Sequence, residues 1–279
     1  MTWHQFKVFS PNAQKKNVLE YVKPNSIRIV NDKKGGLKVY DHVFWSCDGY
    51  KERHDGYLEP AGEKSDYADQ ERIFQDVGKD LLDHLFQGYN CTLFAYGQTG
   101  SGKSYTIMER GVNKGILPRM TDSIFEIANS NYDQNIEYQV SFSMAEIYNE
   151  KVYDLFTEIN SKQNERTALK IENCKAKNLS CFPVANSNDI AHYLEKGYKN
   201  RSIASTNMNE YSSRAHTIAT IYLAQISTTE KSTLKSQINI VDLAGSERAA
   251  KTGAKGTRLE EGGKINRSLM HLGTVIRDF

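Results

Sequence analysis

The 279-residue chain has only four cysteines, Cys47, Cys91, Cys174 and Cys181, and no two of them stand at CxxC spacing. A disulfide framework is thereby disfavoured, and reduced structural thiols are expected. No apolar run approaches the roughly 20 residues that a membrane-spanning helix needs. The opening MTWHQFKVFS also lacks the apolar centre of a signal peptide. Together these gaps argue against a helical membrane protein or a secreted one and point to the cytoplasm. An excess of one charge is missing too: 36 Lys and Arg against 34 Asp and Glu leave a formal net charge of +2. That is too little for whole-surface attraction to nucleic acid or membrane, although a local basic patch is compatible with it. No internal repeat is present, which sets repeat architectures aside. What remains, 39% hydrophobic and 25% charged residues, is enough for a sizeable core in one or two domains.

Within this ordinary composition one stretch stands out. Gly97-Gln98-Thr99-Gly100-Ser101-Gly102-Lys103-Ser104 matches the phosphate-binding pattern GxxxxGK[ST]. The glycines free the backbone to turn successive N–H groups inward around phosphate oxygens. Lys103 adds a point charge, and Ser104 offers a hydroxyl to Mg²⁺ at the start of the following helix. The apolar run Cys91 to Tyr96 predicts a central strand, covered on both faces, leading into the loop. A glycine-rich turn between two core elements is the plain structural alternative.

The rest of the chain predicts alternating strands and helices. Ser26 to Val30 and Leu37 to Tyr40, around a polar turn from Asn31 to Gly36, read as a hairpin. From Asp69 onward Ile73, Phe74, Val77, Leu81, Leu82, Leu85 and Phe86 recur on one helical face, with Gly88 as a stop. Leu117-Pro118 opens another helix with Ile124, Phe125 and Ile127 as its core contacts. Residues Ile136 to Ile147 alternate as a strand with one wet side, and Ser187 or Asn188 can cap the helix carrying Ile190, Tyr193 and Leu194. Thr217 to Ile226 and Gln237 to Leu243 are two long strands. Asp242, at the end of the second, is suited to anchor Mg²⁺ through water, and equally to cap a helix. Ile265, Leu269, Leu272 and Ile276 form a stripe along a last helix.

GQTGSGKS, NEYSSRAH and DLAGSE, in this order, resemble the three nucleotide-contacting motifs of kinesin motor domains. EIYNEKVYDLF from Glu146 and TGAKGTRLEEGGKINRSL from Thr252 match as well, so the resemblance covers most of the chain from Asp69 to Ile276. The wording of ADQERIFQDVGKDLL and GAKGTRLEEG is nearest the cargo-transporting third kinesin family. The resemblance implies one α/β motor domain: a P-loop NTPase three-layer sandwich with a central, mostly parallel sheet and helices on both faces. It also implies ATP and Mg²⁺ as ligands, microtubules as partner and the cytoskeleton as location. Residue by residue, Ser213 becomes a Mg²⁺ ligand of the first switch beside Ser104 and Asp242. Arg214 and Glu247 become a salt-bridge latch that closes on ATP binding. Gly245 offers its N–H to the γ-phosphate, Gln98, Thr99 and Ser101 line the phosphate loop, and Tyr105 lies beside adenine. Lys255, Arg258, Lys264 and Arg267 fall in the loop and helix that face the acidic microtubule.

Several positions depart from the pattern. The RxRP sequence of the first kinesin strand is absent, with Lys7-Val8-Phe9-Ser10-Pro11-Asn12 as its nearest remnant. Ala215 replaces a serine, Glu260 stands where lysine is common, and Gly263-Lys264 replaces an alanine-asparagine pair. The sequence stops at Phe279, before a further core strand, a last helix and the neck linker that such a motor has. The expectation is therefore a sheet lacking its first and last core elements. The leading function is a microtubule-stimulated ATPase, and the alternative is a kinesin-like binding protein without productive turnover. An unrelated P-loop kinase would need a substrate pocket of which the sequence gives no sign.

Overall fold

The computed structural model describes residues 6–9, 19–29, 36–131, 133, 135–157, 166–205, 214–247 and 257–278. Short strands come first: β1 Phe6–Phe9, β2 Leu19–Val22, β3 Ser26–Ile29, β4 Lys38–Val39, β5 His42–Trp45, β6 Tyr50–Glu52 and β7 Leu58–Pro60. β3 and β4 pair antiparallel, as the polar turn between them predicts, and β2 extends the pair. β1 runs parallel to β5, with Phe6 opposite His42 and Phe9 opposite Trp45. A strand therefore forms at the remnant of the first kinesin strand, but among the described residues it pairs with β5 in a sheet of its own and does not join the main sheet. Strand pairing is made by backbone groups, so losing the RxRP side chains does not abolish it.

Asp69 then caps a helix through its Oδ1, which accepts the Arg72 N–H at 2.8 Å. This helix has three parts: α1 Gln70–Ile73, a π-helical turn Phe74–Gly78, and α2 Lys79–Phe86. Gly78 permits the wide turn because a Cβ there would run into the Phe74 ring. Gly88, at φ +91°, ends the element as its position predicts. β8 Cys91–Ala95, the phosphate loop and α3 Lys103–Met108 follow, and then α4 Ile116–Asn129. Ile124 and Phe125 of α4 are buried, whereas Ile127 is exposed and is not the core contact expected.

The later elements are β9 Ile136–Tyr148, β10 Lys151–Asp154, β11 Ile171–Glu172, β12 Lys175–Ala176 and β13 Phe182–Val184. They are followed by α5 Ser187–Ser205, β14 His216–Ser227, β15 Ser232–Asp242 and α6 Thr257–Asp278. Asn186, rather than Ser187 or Asn188, caps α5: its Oδ1 accepts the Asp189 N–H at 3.1 Å. The main sheet runs β10-β9-β14-β15-β8, with β13 also on β9. Only β15 and β8 are parallel; the other pairings are antiparallel. The sheet is thus mixed and not mostly parallel. Two hairpins, β9–β10 and β14–β15, supply antiparallel neighbours, while helices connect β8 to β9 and β13 to β14. β8 also proves to be an edge among the described residues, half-exposed rather than covered on both faces.

One face of this sheet carries the main core. Val140, Phe142 and Met144 of β9, Ala219, Ile221 and Leu223 of β14 and Ile238 and Ile240 of β15 pack with Leu82, Leu85, Met120, Ile124, Ile190 and Leu194 of the helices. On the opposite face His216 of β14 reaches Ser268 of α6 at 2.9 Å, and the predicted stripe Ile265, Leu269, Leu272 and Ile276 of α6 is half-buried. The three-layer arrangement therefore holds. The wet side expected of β9 is wet only in its first half, since Ser143 and Ala145 on that face are buried.

Candidate functional site

The phosphate loop sits between the β8 end and α3, where its glycines take the conformations the motif needs. Gly100 has φ +75° and Gly102 φ +87°, both left-handed. At Gly97 a Cβ would stand 2.5 Å from Ser101 Oγ, so a larger residue would force that serine to shift. Lys103 folds back, its Nζ donating to the carbonyls of Gly97 and Gln98 at 3.0 Å each. Burial lowers its pKa, while the charges of Asp242 and Glu247 offset part of that shift.

The parallel β8–β15 pairing carries the end of β15 to the loop. Leu243 N–H donates to Ala95 O at 3.2 Å and Ser246 N–H to Gly97 O at 3.1 Å. Ser104 Oγ donates to Asp242 Oδ2 at 2.5 Å. Asp242 is buried, and among the described residues its Oδ1 has no hydrogen-bond partner. A hydroxyl beside a buried, half-satisfied carboxylate fits Mg²⁺, which is typically held by one or two protein oxygens together with substrate phosphates. The described residues contain no cluster of three or more His, Cys, Asp or Glu.

Glu247 also reaches the loop: its Oε2 accepts the Thr99 N–H at 2.9 Å and its Oε1 the Thr99 hydroxyl at 2.5 Å. Gly245 lies against this contact, since a Cβ there would overlap Thr99 Oγ1 and both Glu247 oxygens. Arg214, half-buried, occupies the turn just before β14. Tyr105 has its hydroxyl buried, and its carbonyl accepts from Gln70 Nε2 at 2.7 Å. Burial first, then the charges of Glu109 and Asp69, raise the Tyr105 pKa. Ser213 and Lys255 lie outside the described residues, as do the side chains of Arg258 and Glu260. Lys264 Nζ donates to Asn149 Oδ1 at 2.6 Å, and Arg267 stands 3.7 Å from Glu150 with 61% of its side chain exposed.

Two features carried no separate signal in the sequence. His216, buried at the start of β14, accepts the Ala244 N–H on Nδ1 at 3.0 Å, so its Nε2 carries the proton and meets Ser268 Oγ of α6 at 2.9 Å. It thus joins the DLAGSE loop to the last helix. Burial, followed by the nearby Arg201, pulls its pKa down to about 4. The second feature is Glu146, fully buried between Arg166 Nη2 at 2.5 Å and Arg201 Nε at 3.2 Å. Its place in EIYNE could have suggested a charge on the core face of β9.

A phosphate loop after an edge strand, a serine–aspartate pair and a second acidic loop folded onto the first define the chain as an α/β P-loop nucleotide-binding protein. The Kinesin motor domain model matches residues 11–279, and the chain belongs to that family. Kinesin-like protein KIF28 of Rattus norvegicus is 42% identical over 244 residues, covering 85% of this chain and 23% of that protein. Human KIF1B is 42% identical over 262 residues, covering 90% of this chain and 14% of that protein. The chain therefore spans less than a quarter of the length of these relatives. Among solved structures, a fast kinesin superposes with TM-score 0.76 at 32% identity, over 94% of this chain and 70% of that one. KIF14 with ADP in complex with a microtubule superposes with TM-score 0.81 at 33% identity, over 98% of this chain and 78% of that one.

Proposed function

We propose that this chain binds ATP with Mg²⁺, hydrolyses it and couples the nucleotide state to microtubule attachment. The observation that carries the proposal is the convergence of Ser104, Asp242, Thr99, Gly245 and Glu247 on one phosphate loop. In this reading the loop from Gly97 to Ser104 holds the phosphates through its N–H groups, and Lys103 exchanges its bonds to Gly97 and Gln98 for phosphate oxygens. Ser104, with Ser213 and Asp242, would hold Mg²⁺, which supplies charge neutralisation at the phosphates when bound. Gly245 presents its N–H to the terminal phosphate. Arg214 and Glu247 close the two switch loops and exclude bulk water while one water attacks in line, so no covalent nucleophile on the protein is required. Tyr105 flanks the adenine.

Microtubule attachment is assigned to Lys255, Arg258, Lys264 and Arg267. The superposition on KIF14 bound to a microtubule supports this, as does the exposure of Arg267 on α6. The test is steady-state ATPase with and without microtubules, on this chain and on Lys103→Ala. The variant is expected to lose nucleotide binding and retain its circular dichroism, because the Lys103 Nζ bonds among the described residues go to carbonyls of its own loop. Undiminished hydrolysis in the variant would overturn the assignment.

A further inference from the structure

Glu247 spends both carboxylate oxygens on a single loop residue, taking the N–H and the hydroxyl of Thr99. A backbone amide next to a hydroxyl, in a glycine-rich loop, is the donor set that an anionic phosphate oxygen takes. The surroundings are those of an anion site: the charge of Lys103 acts on Glu247, and Gly245 presses so close that a Cβ would overlap the carboxylate. Burial pushes the Glu247 carboxyl up, but the Thr99 bonds and Lys103 outweigh it and hold the group below its ordinary value. It is therefore an anion at neutral pH.

We propose that Glu247 is a built-in stand-in for the terminal phosphate, which makes Thr99 the residue that distinguishes a nucleoside triphosphate from a diphosphate. This rests on the nucleotide-binding reading above. The Thr99 N–H and hydroxyl cannot serve a carboxylate and a phosphate oxygen at once, so a triphosphate must displace Glu247 whereas a diphosphate leaves it in place. The displaced carboxylate becomes free to meet Arg214. One charge then reports the terminal phosphate by changing partner, and the latch closes only after the loop has been claimed.

The experiment is equilibrium binding of Mg·ADP and of the Mg·β,γ-imido analogue of ATP to the full chain. Because Glu247 also serves closure, the comparison is made in an Arg214→Ala background, with and without Glu247→Ala. Removing the carboxylate is expected to tighten the triphosphate analogue by about tenfold, the scale of a charge-assisted hydrogen bond, and to leave ADP within about twofold. Glu247→Gln, which keeps the shape and loses the charge, should move the preference in the same direction by less. An unchanged preference, or an equal shift for both nucleotides, overturns the proposal while ADP binding leaves the nucleotide reading standing. Failure of the unmodified chain to bind ADP would overturn both.

Discussion

At the scale of single residues, charge placement decides what the site can do. If Arg214 and Glu247 act as one latch in turnover, each alanine variant removes the whole effect. In a double-mutant cycle the double variant is then expected to hydrolyse ATP no more slowly than either single one. Multiplying losses in kcat would show that the two side chains do not meet. His216 offers a pH test. Its folded pKa of about 4 lies under the ordinary 6.5, so folding favours the neutral ring. The stability this confers is fully present above pH 6.5 and is withdrawn as pH falls from 6.5 through 4, by about 3 kcal/mol in total. Denaturant unfolding at stepped pH is expected to show that slope in the wild type and a shallower one in His216→Gln. Equal slopes would mean that His216 is not buried neutral. His216 and Glu247 are also where the sequence is least explicit. Both are legible as members of motifs, but a motif does not say which atom each one touches.

Elements show how a loop is tied to the helix behind it. The β9–β10 turn is a tight two-residue connection in which Asn149 and Glu150 have φ of 53° and 64°. That geometry aims both side chains at α6, where Lys264 and Arg267 meet them. From the neighbouring strand, where it pairs with Ile147 of β9, His216 holds the same helix through Ser268. Gly263, expected to weaken α6, sits inside a continuous helix with open space around it. Glycine's cost of about 1 kcal/mol is thus offset by neighbouring contacts rather than explained by close packing. The exposed Arg267 contact is worth little to stability, which leaves that side chain free for an acidic partner. Arg267→Glu is expected to weaken microtubule co-sedimentation several-fold, and the difference from wild type should shrink as salt rises. A salt-independent loss would instead indicate damage to α6. The Glu146 site, with two arginines closing on one buried carboxylate, joins β9 to the end of α5. Periodicity reveals such a strand but not the partners arriving from remote segments.

Across the whole molecule, the sheet leaves β8 with one neighbour among the described residues, and Thr92 on it is exposed. An edge strand with unpaired backbone groups is a template for another chain. Concentration-dependent association is therefore expected, and Thr92→Lys should reduce it in light scattering while giving up the bond that Thr92 Oγ1 accepts from Asn239 Nδ2 at 3.2 Å. No change in scattering would clear this edge of the role. Sequence alone determined the features that depend on contiguous residues: the strand, glycine loop and helix around Lys103, the hairpin at β3 and β4, and the half-buried stripe of α6. It also carried the family, because the three motifs keep their order and wording. Tertiary structure alone decided which distant groups meet. Ser104 and Asp242 are 138 residues apart, and Thr99 and Glu247 are 148 apart. The same holds for the direction of the sheet and for the first strand, whose pairing with β5 needs backbone rather than any particular side chain. The physical reason is that local conformation is written in neighbouring side chains and glycines. Pairing across a sheet is set by backbone hydrogen bonds and by the core that brings its strands together.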